Sequence, residues 1–275
     1  MAHPQQITFI EVFSKHIARS YVGFNILEIG SYDVNGSIRK FFPESSYCGV
    51  DLTDGPGVDI IADGHLVAHD NNFYDITLSC ECFEHNPFWL ETFFNMLRMT
   101  KKGGFVVFTC ATIGRREHGT RRTAARESPG TQSVGWDYYR NLTTKDFKKN
   151  IEFNKYFSSY IFLVNKKSRD LYFVGQTVGF NEALKFDHNL FFSEYTRAQK
   201  TLELDLEEKD KILKKQLSQK RKLFYAASNF LYAPVKILIY LPDKQYQDSV
   251  IFYEKFITIL TKSIKAIIKK IFSER

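Results

Sequence analysis

Glu28 and Gly30, two residues apart at the end of the apolar run 26–29, and Asp51, which closes a second run through Gly49-Val50, are of the right kind to hold a nucleoside. A glycine lets backbone come close to a ligand, and a lone acid at a strand end can accept hydrogen bonds from ribose hydroxyls. The pattern recurs at Asp63-Gly64 and at Ser79-Cys80-Glu81, each closing a further apolar run. One acid-x-Gly step fits a tight turn equally well. Four polar strand ends in chain order point instead to a cleft, because ligands of an open parallel sheet sit beyond the carboxyl ends of its strands.

The elements that would carry these residues follow from periodicity. Apolar side chains at Ile7, Ile10, Phe13 and Ile17 are spaced for a helix over 7–20. Strands are expected at 26–29, 47–51, 58–62, 73–79 and 105–110, with a helix through Ile38 and Phe41-Phe42 ended by Pro43. Asn86-Pro87 reads as a helix start, Leu90, Phe93, Phe94 and Leu97 as its apolar face, and Lys101-Lys102-Gly103-Gly104 as its stop. A long polar loop over 111–135, a helix near 143–150 and two apolar runs, 156–164 and 171–178, complete the unit. Alternating strands and helices predict an α/β fold: a doubly wound, mainly parallel, seven-stranded sheet with helices on both faces.

Over residues 20–180 the chain resembles the class I S-adenosylmethionine-dependent methyltransferases, which have a Rossmann-like fold. Ile26-Leu27-Glu28-Ile29-Gly30-Ser31 is similar to their first glycine motif, and Gly49-Val50-Asp51-Leu52 to the strand whose acid holds the cofactor ribose. Ile61-Ala62-Asp63-Gly64 resembles the segment at the adenine. The stretch from Phe73 through Ser79, Cys80 and Glu81 to Glu84-His85 resembles the fourth-strand motif. Met99-Thr100-Lys101-Lys102-Gly103-Gly104 resembles the family's Lys-Pro-Gly-Gly turn, with Lys102 in place of proline. Tyr32 and Val34 stand where glycine is frequent, so the dinucleotide fingerprint Gly-x-Gly-x-x-Gly is absent, which argues against NAD or FAD. The implied cofactor is S-adenosyl-L-methionine, bound by Glu28, Gly30, Ser31, Asp51, Leu52, Asp63, Gly64, Ser79, Cys80 and Glu81.

The resemblance implies methyl transfer, and a hydroxyl acceptor would need a base near the fourth or fifth strand end. His118, His85 and Glu117 are the candidates, although His85 also suits the opening of a helix. Arg115, Arg116, Arg121 and Arg122 crowd the same loop, and Tyr139-Arg140 follows. Guanidinium groups take phosphate or carboxylate bidentately. The expected acceptor is therefore a carbohydrate or sugar nucleotide; a solvated loop is the plain alternative. Cys110-Ala111-Thr112 with His118-Gly119-Thr120-Arg121-Arg122 resembles methyltransferases found with bacterial surface-polysaccharide genes, which implies a surface-glycan acceptor. Lipid-linked or other small metabolites, RNA, or a non-catalytic cofactor-binding scaffold are the competing functions.

No set of carboxylates stands out at metal-ligand spacing and Cys80-x-Cys82 lacks a second pair, so no metal is assigned and metal dependence stays open. The four cysteines suit buried thiols in a reducing, cytoplasmic setting. Neither a secretion signal at Met1-Ala2-His3-Pro4 nor a membrane span is expected. Residues 211–275 hold fourteen Lys or Arg against four Asp or Glu, a surplus of ten within a whole-chain net charge of +7. The basic character thus belongs to an extension over 181–275, beyond a methyltransferase domain at 1–180. Its last stretch, 250–272, is patterned as a basic amphipathic helix. Residues 243–275 suit either the inner face of an anionic membrane or a partner protein surface, and nucleic acid is not indicated.

Overall fold

Val, Ile, Leu and Phe fill both faces of the central strands, as a sheet covered on each side requires. In the computed structural model, which describes residues 3–18, 23–179 and 186–216 and isolated positions between 249 and 263, these segments form one seven-stranded sheet. Its strands are β1 (Asn25–Ile29), β2 (Ser46–Asp51), β3 (Ile60–Ile61), β4 (Tyr74–Cys80), β5 (Thr100–Ala111), β6 (Phe157–Asn165) and β7 (Asp170–Thr177). The order is β3-β2-β1-β4-β5-β7-β6. Strands β1 to β5 pair in parallel, and β7 runs antiparallel between β5 and β6. This is the doubly wound, Rossmann-like architecture of methyltransferases. Ile29 lies opposite both Val50 and Ser79, so the carboxyl ends of β1, β2 and β4 finish level.

Alternation along β5 divides the core. Phe105 and Val107 face one side, against α1 (Pro4–Ala18) and the start of α6 (His188–Gln216). There Phe9 stacks on Tyr172 at 4.6 Å and meets Phe191 edge-on at 5.9 Å. Val106 and Phe108 face the other side, under α2 (Trp89–Met99), α4 (Thr144–Asn150) and α5 (Phe153–Tyr156). Phe108 stacks between Phe147 at 4.5 Å and Phe173 at 5.0 Å. Phenylalanine is shared between the two layers, with nine packed in this one and eight in the first.

Several expected elements differ in extent. The helix at Ile38 to Phe42 is only one 3-10 turn, Arg39–Phe41, because five residues ahead of a proline cannot carry a helical nucleus. The third strand shrinks to two residues at the sheet edge. Lys101-Lys102-Gly103-Gly104 does not separate helix from strand: β5 begins at Thr100, and the glycines form an irregularity within it. Gly103 takes φ +73°, and a Cβ on Gly104 would come within 2.6 Å of the Asp75 carbonyl oxygen. The loop over 111–135 contains a 3-10 turn, Ala125–Glu127, and the short helix α3 (Pro129–Ser133).

The chain divides into two compact units, Met1–Glu203 and Leu204–Arg275. The first therefore runs on past residue 180, with Phe191 and Tyr195 of α6 buried in its core. The charged pattern over 201–216 falls in α6, whereas the apolar stretch 223–241 lies outside the described residues. Of 250–272, the described positions are helical and Phe252, Phe256 and Ile259 are exposed. Among the described residues, no helix is long and apolar enough to cross a membrane.

Candidate functional site

A cleft of about 920 Å³, open mouth included, lies beyond the carboxyl ends of β1, β2 and β4. Gly30 makes its floor. At φ +85° it turns the chain back so that Gly30 and Ser31 both donate to the Val50 carbonyl, at 2.8 and 3.1 Å. A Cβ at Gly30 would lie 2.7 Å from the Cβ of Cys82, so a side chain there would drive apart the turns after β1 and β4. The Asp51 carboxylate accepts from the backbone N–H of Tyr32 at 3.1 Å and of Leu52 at 2.7 Å. Burial raises its pKa against these two bonds. Glu28 is buried at the end of β1, where its Oε2 accepts from the Tyr47 hydroxyl at 2.7 Å. Burial outweighs that bond and lifts the carboxyl to about 7.

Of the ten residues assigned to a cofactor, nine line the cleft. Ser79 does not; it is fully buried one step behind. Asp63 accepts from His65 Nδ1 at 2.6 Å, and the His65 ring stacks on Phe88 at 4.3 Å. Glu81 holds φ +51°, in the left-handed region that a non-glycine residue avoids unless its surroundings impose it. His3 Nε2 lies 3.6 Å from Glu81 and 3.0 Å from Asp170, and Arg115 reaches the same carboxylates at 3.9 and 3.3 Å. Burial alone would raise the Glu81 pKa, but His3 and Arg115 pull it well below the ordinary range.

The loop after β5 folds back over the cleft. Ser128, Gly130 and Trp136 join the lining, and a Cβ on Gly130 would come within 2.4 Å of Asp51 Oδ1. Ser128 and Gly130 of this wall are not marked as ligand residues by the sequence. Its available signal was Ser128-Pro129-Gly130, a turn inside a polar stretch. Three further residues, His3, Glu84 and Asp170, were also unassigned; His3 and Asp170 lie far apart in the chain and only the fold brings them to Glu81, while Glu84 meets His85 and His118.

The residues expected to activate or bind an acceptor are placed unevenly. His85 lines the cleft, and its ring meets that of His118 at 4.8 Å and that of Tyr139 at 5.4 Å. Burial holds His85 well below its usual pKa and His118 at about 4, so both are neutral. Glu117 is engaged by Arg122 at 2.6 Å and by the Thr120 hydroxyl at 2.7 Å. Arg140 pairs with Asp146, and the Tyr139 hydroxyl donates to Asn141. Arg116 and Arg121 are exposed on the loop. None of these arginines lines the cleft, and neither does Tyr139. The arginine-rich segment braces the loop through Arg115, Arg122 and Arg140.

The charge of the cleft is one-sided. Its described lining holds Glu28, Asp51, Asp63, Glu81 and Glu127, and no lysine or arginine. Such a surface favours a cationic ligand and opposes a pyrophosphate.

No family model and no curated protein matches the chain. Solved structures do. It is similar to the CurJ carbon methyltransferase at 15% identity over 63% of this chain and 54% of that one, with a TM-score of 0.46. The 1,6-didemethyltoxoflavin-N1-methyltransferase of Burkholderia thailandensis, solved with S-adenosylhomocysteine, matches at 11% identity over 62% and 79%, TM-score 0.43. The N-methyltransferase NodS of Bradyrhizobium japonicum matches at 12% over 62% and 94%, TM-score 0.40, and the [4+2]-cyclase SpnF at 11% over 62% and 82%, TM-score 0.41. The likeness is one of fold.

Proposed function

We propose that the protein is an S-adenosylmethionine-dependent methyltransferase that methylates an oxygen of its acceptor. The observation that carries this reading is the cleft with five carboxylates and no lysine or arginine at the nucleoside position of the sheet. The cofactor is a nucleoside with a sulfonium and an ammonium group, and it has no phosphate. The cleft fits it in two further respects. Ser31 Oγ is buried there without a hydrogen-bond partner, and Gly30 keeps the floor free of a Cβ that Cys82 leaves no room for. Asp51 would hold the ribose hydroxyls, Asp63 and Gly64 would border the base, and Glu28 and Glu81 would face the cationic end.

When bound, S-adenosylmethionine supplies an electrophilic methyl group. The chain's own work is to align the acceptor with it, exclude water and activate the acceptor oxygen; alignment alone can be worth on the order of 7 kcal/mol. Activation belongs at His85 and His118, where the fourth and fifth strand ends meet. For the acceptor we propose a sugar hydroxyl of a surface-glycan precursor. Its support is the resemblance carried by Cys110-Ala111-Thr112 and His118-Gly119-Thr120-Arg121-Arg122, together with the half-buried Trp136, which offers a face for a sugar ring. Incubation with labelled S-adenosylmethionine and a panel of nucleotide sugars and glycan acceptors tests it. The expected product carries one added methyl on oxygen; label found only on other acceptor classes would sink the sugar assignment.

A further inference from the structure

Glu84, His85 and His118 converge in the interior beside the cleft. All three are at least nine-tenths buried, and each offers a ligand atom within 4.8 Å of the others. Both oxygens of Glu84, both ring nitrogens of His85 and Nε2 of His118 lack hydrogen-bond partners. Buried polar atoms are almost always paired, so five orphans at one point call for a physical cause.

The tautomer of His118 narrows that cause. Its Nδ1 lies 2.9 Å from the Arg116 carbonyl oxygen, which can only accept. Nδ1 therefore carries the proton, and Nε2 presents a lone pair to the cluster. A backbone carbonyl fixing one ring nitrogen so that the other can ligate is how metal-binding histidines are held. Gly119, at φ +69°, lets the loop settle here: a Cβ on it would stand 2.8 Å from His85 Cε1.

A neighbouring cluster provides the contrast. His3, Glu81 and Asp170 also converge within 4.8 Å, but Arg115 and His3 supply their positive charge. Among the described residues, no lysine or arginine pairs with Glu84. A buried carboxylate needs a counter-charge or a donor, and here the fold supplies two neutral imidazoles instead.

We propose that Glu84, His85 and His118 form a binding site for one divalent transition-metal cation. Two imidazoles and one carboxylate suit zinc or iron(II), and three protein ligands leave coordination open for a further group. His85 lines the cleft, so that group would come from it. Resting on the methyltransferase reading, the metal would bind the acceptor oxygen and lower its pKa, so that the hydroxyl proton passes to water in the open cleft while the methyl group leaves the sulfonium, which becomes a neutral thioether. His118 would then act as a ligand. The binding itself does not depend on that reading.

The test uses the full chain, stripped with chelator and titrated with Zn2+ by calorimetry and with Co2+ by visible absorption. One equivalent is expected, with cobalt bands of a nitrogen–oxygen site and no thiolate charge-transfer band. His118→Asn and Glu84→Gln should each weaken binding on the order of 10–100-fold or more, and His3→Asn should leave it unchanged. Absence of saturable binding, a thiolate band, or affinity that responds to His3→Asn but not to the other two would overturn the site. Should both cluster variants fail to fold by circular dichroism, the wild-type cobalt spectrum and the His3→Asn titration decide. Metal binding without S-adenosylmethionine binding would overturn the methyltransferase reading alone, and the converse would overturn the metal site alone.

Discussion

Single residues set the chemistry through their surroundings, and Glu28 is the clearest case. Its carboxyl, ordinarily near 4.5, stands at about 7 because burial outweighs the Tyr47 hydroxyl and the Arg39 charge that steady its ionised form. The folded chain therefore holds this proton more tightly than the unfolded chain, and stability falls as pH rises between about 4.5 and 7. Glu28→Gln keeps an acceptor for Tyr47 and removes the titration. Denaturant melts across that window should show a flatter slope for the variant; equal slopes would contradict the assignment. His118 should behave as a group of the chemical step. His118→Ala is expected to lower kcat on the order of 100-fold or more while the affinity for S-adenosylmethionine, measured by calorimetry, stays where it was. A parallel loss of cofactor affinity would instead place His118 in the cofactor site.

At the scale of elements, legibility in the sequence followed the strength of the local signal. The strand ends bearing Glu28, Asp51, Asp63 and Glu81 were readable because burial on both faces leaves few polar residues, and those few mark the carboxyl edge. The 3-10 turn at Arg39–Phe41 and the early start of β5 were not. A proline and a glycine pair say that the chain bends, but neither says whether the bend ends an element or lies within it. The wall formed by Ser128, Gly130 and Trp136 depends on a loop folding back, which no periodicity records. The helix expected near 143–150 forms as α4 (Thr144–Asn150). Thr143 and Asp146 form a capping box, with Thr143 N–H donating to Asp146 at 2.9 Å and Asp146 N–H to Thr143 at 3.3 Å. This cap sets Phe147 against Phe108. Thr143→Ala should cost about 1 kcal/mol, read as a lower denaturation midpoint with an unchanged slope.

For the whole molecule, everything that lines the cleft falls between Gln6 and Trp136, inside the first compact unit. The basic surplus of the chain lies beyond it, over 211–275. Cofactor binding and whatever the extension contacts are therefore separable: deleting 243–275 should leave cofactor affinity unchanged, and calorimetry on the shortened chain would expose any dependence. The central claim is that the acidic cleft at the strand ends binds S-adenosylmethionine. Isothermal titration of the intact protein with the cofactor, beside Asp51→Ala, tests it most directly. One site per chain is expected in the wild type, with a loss of about tenfold or more on removing the carboxylate, as befits hydrogen bonds to a charged group. No heat of binding in the wild type, or an affinity indifferent to Asp51, would contradict it.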